Sequence, residues 1–143
     1  KVYTTFDLAQ TLGQDLGKIA KSVIVQTGKR YILIVLPAHM RLDFKKLKKV
    51  IKSTDVKILK EAAMDKIKNY TKGALSPFAG LHSVEAVLEK KMLKNKKMIV
   101  RGGSFTEALV IPIKDYIKIE KPIIAAIGEN AKKLIKEAKK RKR

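Results

Sequence analysis

The stretch AKSVIVQTGKRYILIVL, residues 20–36, restricts this chain more than any other part of it. Two β-branched and aliphatic runs flank Thr27-Gly28-Lys29-Arg30, and Gly28 supplies the backbone freedom of a tight turn, so the segment is predicted to be a β-hairpin. The second arm, YILIVL, has the length of a strand and falls far short of the ~20 apolar residues that span a bilayer. No other apolar run is longer, and the chain reads as a soluble protein.

Around this hairpin the periodicity changes repeatedly. Thr4 or Thr5 is placed to cap a short helix through Leu12, stopped at Gly13. After Pro37, Asp43 is predicted to cap a helix over FKKLKKVIKS, with Phe44, Leu47, Val50 and Ile51 on one face and Lys45, Lys46, Lys48, Lys49 and Lys52 on the other. VKIL reads as a short strand, EAAMDKIKNY as a helix, and VEAVLE, KKMIV and ALVIPI as three further strands. Residues 129–143 are predicted to form a basic helix with Ala131, Leu134, Ile135 and Ala138 on one face. Helices that interrupt hairpins without strict βαβ alternation point to an α+β domain, with a mixed or antiparallel sheet flanked by helices. A barrel-like closure would protect the edges of so many short strands. With 143 residues, no repeat and no low-complexity linker, residues 1–143 are expected to form one domain. The chain opens at Lys1 rather than a methionine, and an upstream piece is expected.

Composition removes several chemistries. There is no cysteine, hence no disulfide, thiolate nucleophile or soft metal site, and the only histidines, His39 and His82, lie far apart with no carboxylate cluster at ligand spacing. No metal and no cofactor are expected. Against 13 acidic residues stand 33 Lys and Arg, a net charge of +20, which favours polyanions, nucleic acid before anionic membrane. A charged thermophile surface explains the number of charges better than their imbalance.

Candidate catalytic groups are sparse. Alternation along AKSVIVQ puts Lys21 on the face of Val23 and Val25, so it either enters a pocket on the core side or points to water from the strand's beginning. His39 follows a strand and either lines a cleft or lies on the surface. Ser76 lacks the G-x-S-x-G elbow of an activated serine, VRGGSF lacks the lysine and hydroxyl of a phosphate loop, and no two carboxylates stand at a spacing for acid–base work. What remains is YTKGALSPFAG, residues 70–80, where Gly73 and Gly80 loosen the backbone and Pro77 stiffens it, a shaped loop with accessible amides.

KIAKSVIV, LPAHMRLDFKKLKKVI, GALSPFAG and MIVRGGSFTEALVI occur in the order and approximate spacing of the YbaK/ProX family, which this chain resembles over about residues 4–118. These are aminoacyl-tRNA deacylases related to the editing insertion of bacterial prolyl-tRNA synthetase. The resemblance implies a mixed α/β domain with a barrel-like sheet and a cytoplasmic, trans-acting hydrolase that removes a small amino acid from a mischarged tRNA. It assigns Lys21 the position of the functional lysine. It further implies that Gly73, Ala74, Leu75, Ser76, Pro77 and Gly80 form the substrate loop, with Gly102 and Gly103 a second glycine pair near the same pocket and His39 beside it. The implied partners are tRNA and, secondarily, an aminoacyl-tRNA synthetase, and no membrane. Ala79 departs from the family's pattern, in which a glycine follows the serine by three residues. Set against the family, its amino-terminal helix and most of its first strand are missing, with KVYTT entering at that strand's end, and without them one pocket wall is expected to be incomplete. The basic end has no counterpart in the family. Its Lys132, Lys133, Lys136, Lys139, Lys140, Arg141, Lys142 and Arg143 are expected to grip the tRNA backbone. A nonenzymatic RNA-binding protein on the same scaffold is the alternative, and a peripheral membrane protein a third reading.

Overall fold

Ile32, Leu33, Ile34, Val35 and Leu36 are all 1% exposed or less, so the second arm of the hairpin is covered on both faces. That requirement organises the computed structural model, which describes residues 16–70, 75–101 and 108–130. Strands β1 (Ala20–Thr27) and β2 (Arg30–Pro37) pair antiparallel with Lys21 opposite Leu36 and Ile24 opposite Leu33. Gly28 turns the chain between them at φ +58°.

Three more strands extend the sheet to the order β4-β1-β2-β5-β8: β4 (Lys57–Ile58) antiparallel to β1, and β5 (Glu85–Glu89) and β8 (Ile123–Ala125) each parallel to its neighbour. Two small ribbons complete the strands: β3 (Met40–Leu42) with β9 (Gly128–Asn130), and β6 (Lys97–Arg101) with β7 (Ala108–Pro112). A single bridge between Ile19 and Ile99 joins the second ribbon to the start of β1. The expected mixed α/β sheet is therefore present, but among the described residues it is not closed into a barrel. Its edges are protected by brevity instead, since β4 and β8 are too short to template another chain.

Each face of the central sheet carries its own core. On one, Val25, Ile32, Ile34, Leu36 and Val87 pack with Met40, Ile127 and the helix α1 (Phe44–Ile51), which contributes Leu47 and Ile51. On the other, Ala20, Ile24, Leu33, Val35 and Leu88 pack with Met64, Ile67, Met98 and the helix α2 (Ile113–Glu120), which contributes Ile113 and Tyr116. A strand buried on both faces carries no polar alternation, and YILIVL has none.

The expected cap is formed: the Asp43 carboxylate accepts from the amides of Lys45 at 3.0 Å and Lys46 at 3.2 Å. Other expectations are corrected. EAAMDKIKNY forms a 3₁₀ segment over Glu61–Lys66: only Met64 and Ile67 of the stretch are fully buried, Ala63 and Tyr70 pack partly against the core, and Asn69 turns the chain at φ +60°. ALVIPI ends as a strand at Pro112, and Ile113 begins α2. Glu129 and Asn130 belong to β9 rather than to a terminal helix. Gly128 permits that pairing, since a Cβ there would stand 2.8 Å from the Met40 terminal methyl and 3.2 Å from the Arg41 carbonyl. The rest of that segment, 131–143, and the helix expected from Thr4 to Leu12 lie outside the described residues. No helix among the described residues is long and apolar enough to cross a membrane.

Asp43→Ala should lower stability by about 1 kcal/mol, while Asp43→Asn, which keeps the accepting oxygen, should be close to neutral. Denaturant midpoints of the two variants check this, and equal losses would remove capping as the cause.

Candidate functional site

β4 pairs with β1 only at Val25 and Gln26, so the upstream part of that edge of β1 has no partner in β4. A cavity of about 280 Å³ opens there. Its walls are Ala20–Ile24 of β1, then Leu59, Glu61 and Met64 from the segment that follows β4, and finally Tyr70 and Leu75. Lys21 lies on this wall, half-buried, on the face of Val25 and Leu36. The face that alternation selects is thus a core face, and the lysine is not fully solvated. Burial pushes its ammonium below the usual lysine range, and the positive charge of Arg41 pushes it further the same way. No carboxylate among the described residues forms an ion pair with it.

Glu61 is the cavity's carboxylate, and the Tyr70 hydroxyl donates to its two oxygens at 2.7 and 2.8 Å. Among the described residues the lining thus includes one lysine and one glutamate, not in salt-bridge contact, with small and apolar neighbours. Such an arrangement can orient a zwitterionic or amine-bearing group and stabilise an oxyanion. Among the described residues that line it there is no activated nucleophile.

α2 fixes the far side of the cavity by holding the loop that carries Leu75. The Tyr116 hydroxyl donates to the Pro77 carbonyl at 2.7 Å, and the Tyr116 and Phe78 rings stand 6.3 Å apart. Burial, with the Glu120 charge second, pushes the Tyr116 phenol up, so it stays a donor. At the end of the helix the Glu120 carboxylate accepts from the Gly80 amide at 3.0 Å.

Of the residues singled out from sequence, Lys21 and Leu75 meet in one cavity. Ser76 and Pro77 follow directly and are buried. The Ser76 hydroxyl accepts from the Phe78 amide at 3.0 Å, a turn contact with no base beside it. Gly80 does not line the cavity: it is exposed and its amide faces Glu120, with no positive φ. His39 sits in the turn between β2 and β3, away from the cavity lining, and its Nδ1 is buried without a hydrogen-bond partner among the described residues. Gly73, Ala74, Gly102, Gly103 and the eight basic residues of the tail lie outside the described residues.

Sequence reasoning missed Glu61, Tyr70, Tyr116 and Glu120. The last two were detectable, because Ile113, Tyr116, Ile117 and Glu120 recur at helical spacing in IKDYIKIE. Glu61 and Tyr70 meet across a 3₁₀ turn whose period leaves no apolar pattern.

The family model described as aminoacyl-tRNA editing domain matches residues 1–119. The Prolyl-tRNA editing protein ProX of Acetoanaerobium sticklandii is 27% identical, the match covering 84% of this chain and 77% of that protein. A crystal structure of a hypothetical protein superposes with a TM-score of 0.82 at 21% identity, covering 90% of this chain and 85% of the other. That of a candidate trans-editing enzyme for prolyl tRNA synthetase gives 0.79 at 20% identity, covering 90% and 82%. At these identities the structural likeness establishes the fold, and the resemblance drawn from the four motifs is borne out.

Tyr116→Phe leaves the buried Pro77 carbonyl without its donor and should cost about 1–3 kcal/mol. A thermal melt unchanged from wild type would show that α2 does not hold the loop through this bond.

Proposed function

Because the chain belongs to the aminoacyl-tRNA editing domain family, we propose that it hydrolyses, in trans, the ester between a small amino acid and the terminal ribose of a mischarged tRNA. The observation that carries the reading is Lys21, half-buried and in no ion pair among the described residues, on the wall of a 280 Å³ cavity shared with Leu75 of the glycine-rich loop. That volume lies near the lower limit of small-molecule pockets and suits an aminoacyl group better than a large side chain.

An aminoacyl ester is already activated, so positioning and charge stabilisation can supply most of the acceleration. Water, oriented by the neighbouring ribose hydroxyl, adds to the ester carbonyl, and Lys21 offsets the negative charge that develops on its oxygen. The carbon–oxygen bond to the ribose then breaks, and a proton from the water ends on the ribose oxygen. Glu61, held by Tyr70, takes the α-ammonium of the amino acid. The resident groups need neither a covalent intermediate nor proton exchange at Lys21. The family's translation role makes the cytoplasm the site of action, tRNA the partner and the charging synthetase a natural second one.

The test is release of free amino acid from a panel of mischarged tRNAs. The name of the ProX relative makes prolyl-tRNA the first carrier to try. No release from any of them would sink the reading. Lys21→Met should reduce turnover by about 10²–10³-fold. The same change should leave the melting temperature at or above wild type at neutral pH. The folded-state ammonium is held below its ordinary value, so the charged form opposes folding below that shifted pKa, and the opposition fades as pH rises through it. Glu61→Gln should act mainly on KM. A folded Lys21→Met variant with wild-type turnover would make this lysine a bystander.

A further inference from the structure

Lys18 precedes Lys21 by three residues and lines a second concavity, of about 600 Å³. Lys94, Asn95, Lys96 and Lys97 form the rest of its polar wall and Ile99 and Val110 its apolar part, and among the described residues no carboxylate lines it. Past Lys94, which lines both, lies another concavity of about 600 Å³ that brings in Lys46, Lys90 and Lys91. Its two carboxylates are Glu129 and the buried Glu89, whose oxygens accept from the amides of Lys91, Ile127 and Gly128.

These lysines stand on an anchored frame. Glu89 caps the 3₁₀ segment Lys90–Lys94, Asn95 donates to the Gly17 carbonyl at 2.9 Å, and the Ile19–Ile99 bridge ties β6 to the start of β1. The frame is therefore fixed to the strand that carries Lys21.

We propose that the two joined concavities form the track for the phosphate backbone of the tRNA whose 3′ end enters the Lys21 cavity. The identity of the nucleic acid rests on the deacylase reading. Two features distinguish this track from the rest of a chain with net charge +20. It is concave, and like charges over low-dielectric walls focus a field that the convex outer face of α1 spreads into solvent. It also has reach: three residues span at most about 10 Å, or about three stacked nucleotides at ~3.4 Å each, so a strand held from Lys18 onward ends at the cavity. Val110, 60% exposed, offers apolar surface to ribose and base faces.

The experiment compares two triple variants of equal charge change, Lys94→Gln/Lys96→Gln/Lys97→Gln in the groove and Lys45→Gln/Lys48→Gln/Lys49→Gln on α1, in binding to uncharged tRNA across a salt series. The groove variant should lose about tenfold or more in affinity near physiological salt, with the slope of log K against log salt shallower by about 2 to 3, and the α1 variant should change far less. Equal losses, or none in the groove variant, overturn the proposal. So does a groove variant that keeps its tRNA affinity but loses binding to phosphatidylserine vesicles, which would assign the lysines and the nearby exposed Leu93 and Val110 to a lipid surface. Turnover of mischarged tRNA by the unaltered protein is measured beside it. Its absence would remove the deacylase reading while leaving the binding result to stand or fall alone.

Discussion

The double burial of β2 governs the rest of the molecule. With Ile32, Ile34 and Leu36 in one core and Leu33 and Val35 in the other, neither face of the strand tolerates water, and the pairing of β1 against it admits one register. A slip of one residue would exchange every side chain of β1 between the two faces. The Gly28 turn fixes that register, and with it the position of Lys21 opposite Leu36. The site lysine is therefore held where it is by the same contacts that hold the core. Its burial is a consequence of the hairpin.

Glu89 and Lys21 are both withdrawn from water, to different degrees, and they are treated differently. Glu89 is buried and its oxygens receive three backbone amides, so its charge is compensated and its effect is to knit the 3₁₀ segment to the Ile127–Gly128 turn. Lys21 is half-buried, receives no carboxylate among the described residues, and faces the like charge of Arg41. An uncompensated ammonium beside a cavity is a local violation of the rules the rest of the structure obeys. Such violations concentrate where a ligand completes the electrostatics.

The hairpin and α1 were legible because each carries its full signal locally: β-branched runs about a glycine in one case, an apolar stripe behind an aspartate cap in the other. Lys21 was legible only as an alternative, since alternation names a face without saying whether that face is covered; the coverage comes from Leu47, Met40 and Ile127, distant in sequence. β3, β8 and β9 are three residues each, too short for any period to show. α2 was hidden by ALVIPI, whose strand pattern runs through Pro112 into the first helical residue. The role of Gly80 was beyond reach for another reason: glycine suggested conformational freedom, whereas the position supplies an amide to a carboxylate 40 residues away.

A site whose described residues include one lysine and one glutamate has little chemistry with which to choose among amino acids, so its selectivity rests on shape. A methylene in an apolar pocket is worth only about 1–3 kcal/mol, and that difference survives only if the wall does not yield. Ala20, Ser22 and Ile24 are fixed by the hairpin, but Leu75 belongs to a loop, and loops give way unless they are held. α2 supplies the restraint, through the Tyr116 hydroxyl on the Pro77 carbonyl, the tilted contact of the Tyr116 and Phe78 rings and the Glu120 carboxylate on the Gly80 amide. None of these groups lines the cavity, yet each limits how far its loop wall can retreat before a larger amino acid. Selectivity in this fold is therefore built one layer behind the residues that would touch the substrate, in a helix whose polar groups spend their hydrogen bonds on another segment's backbone.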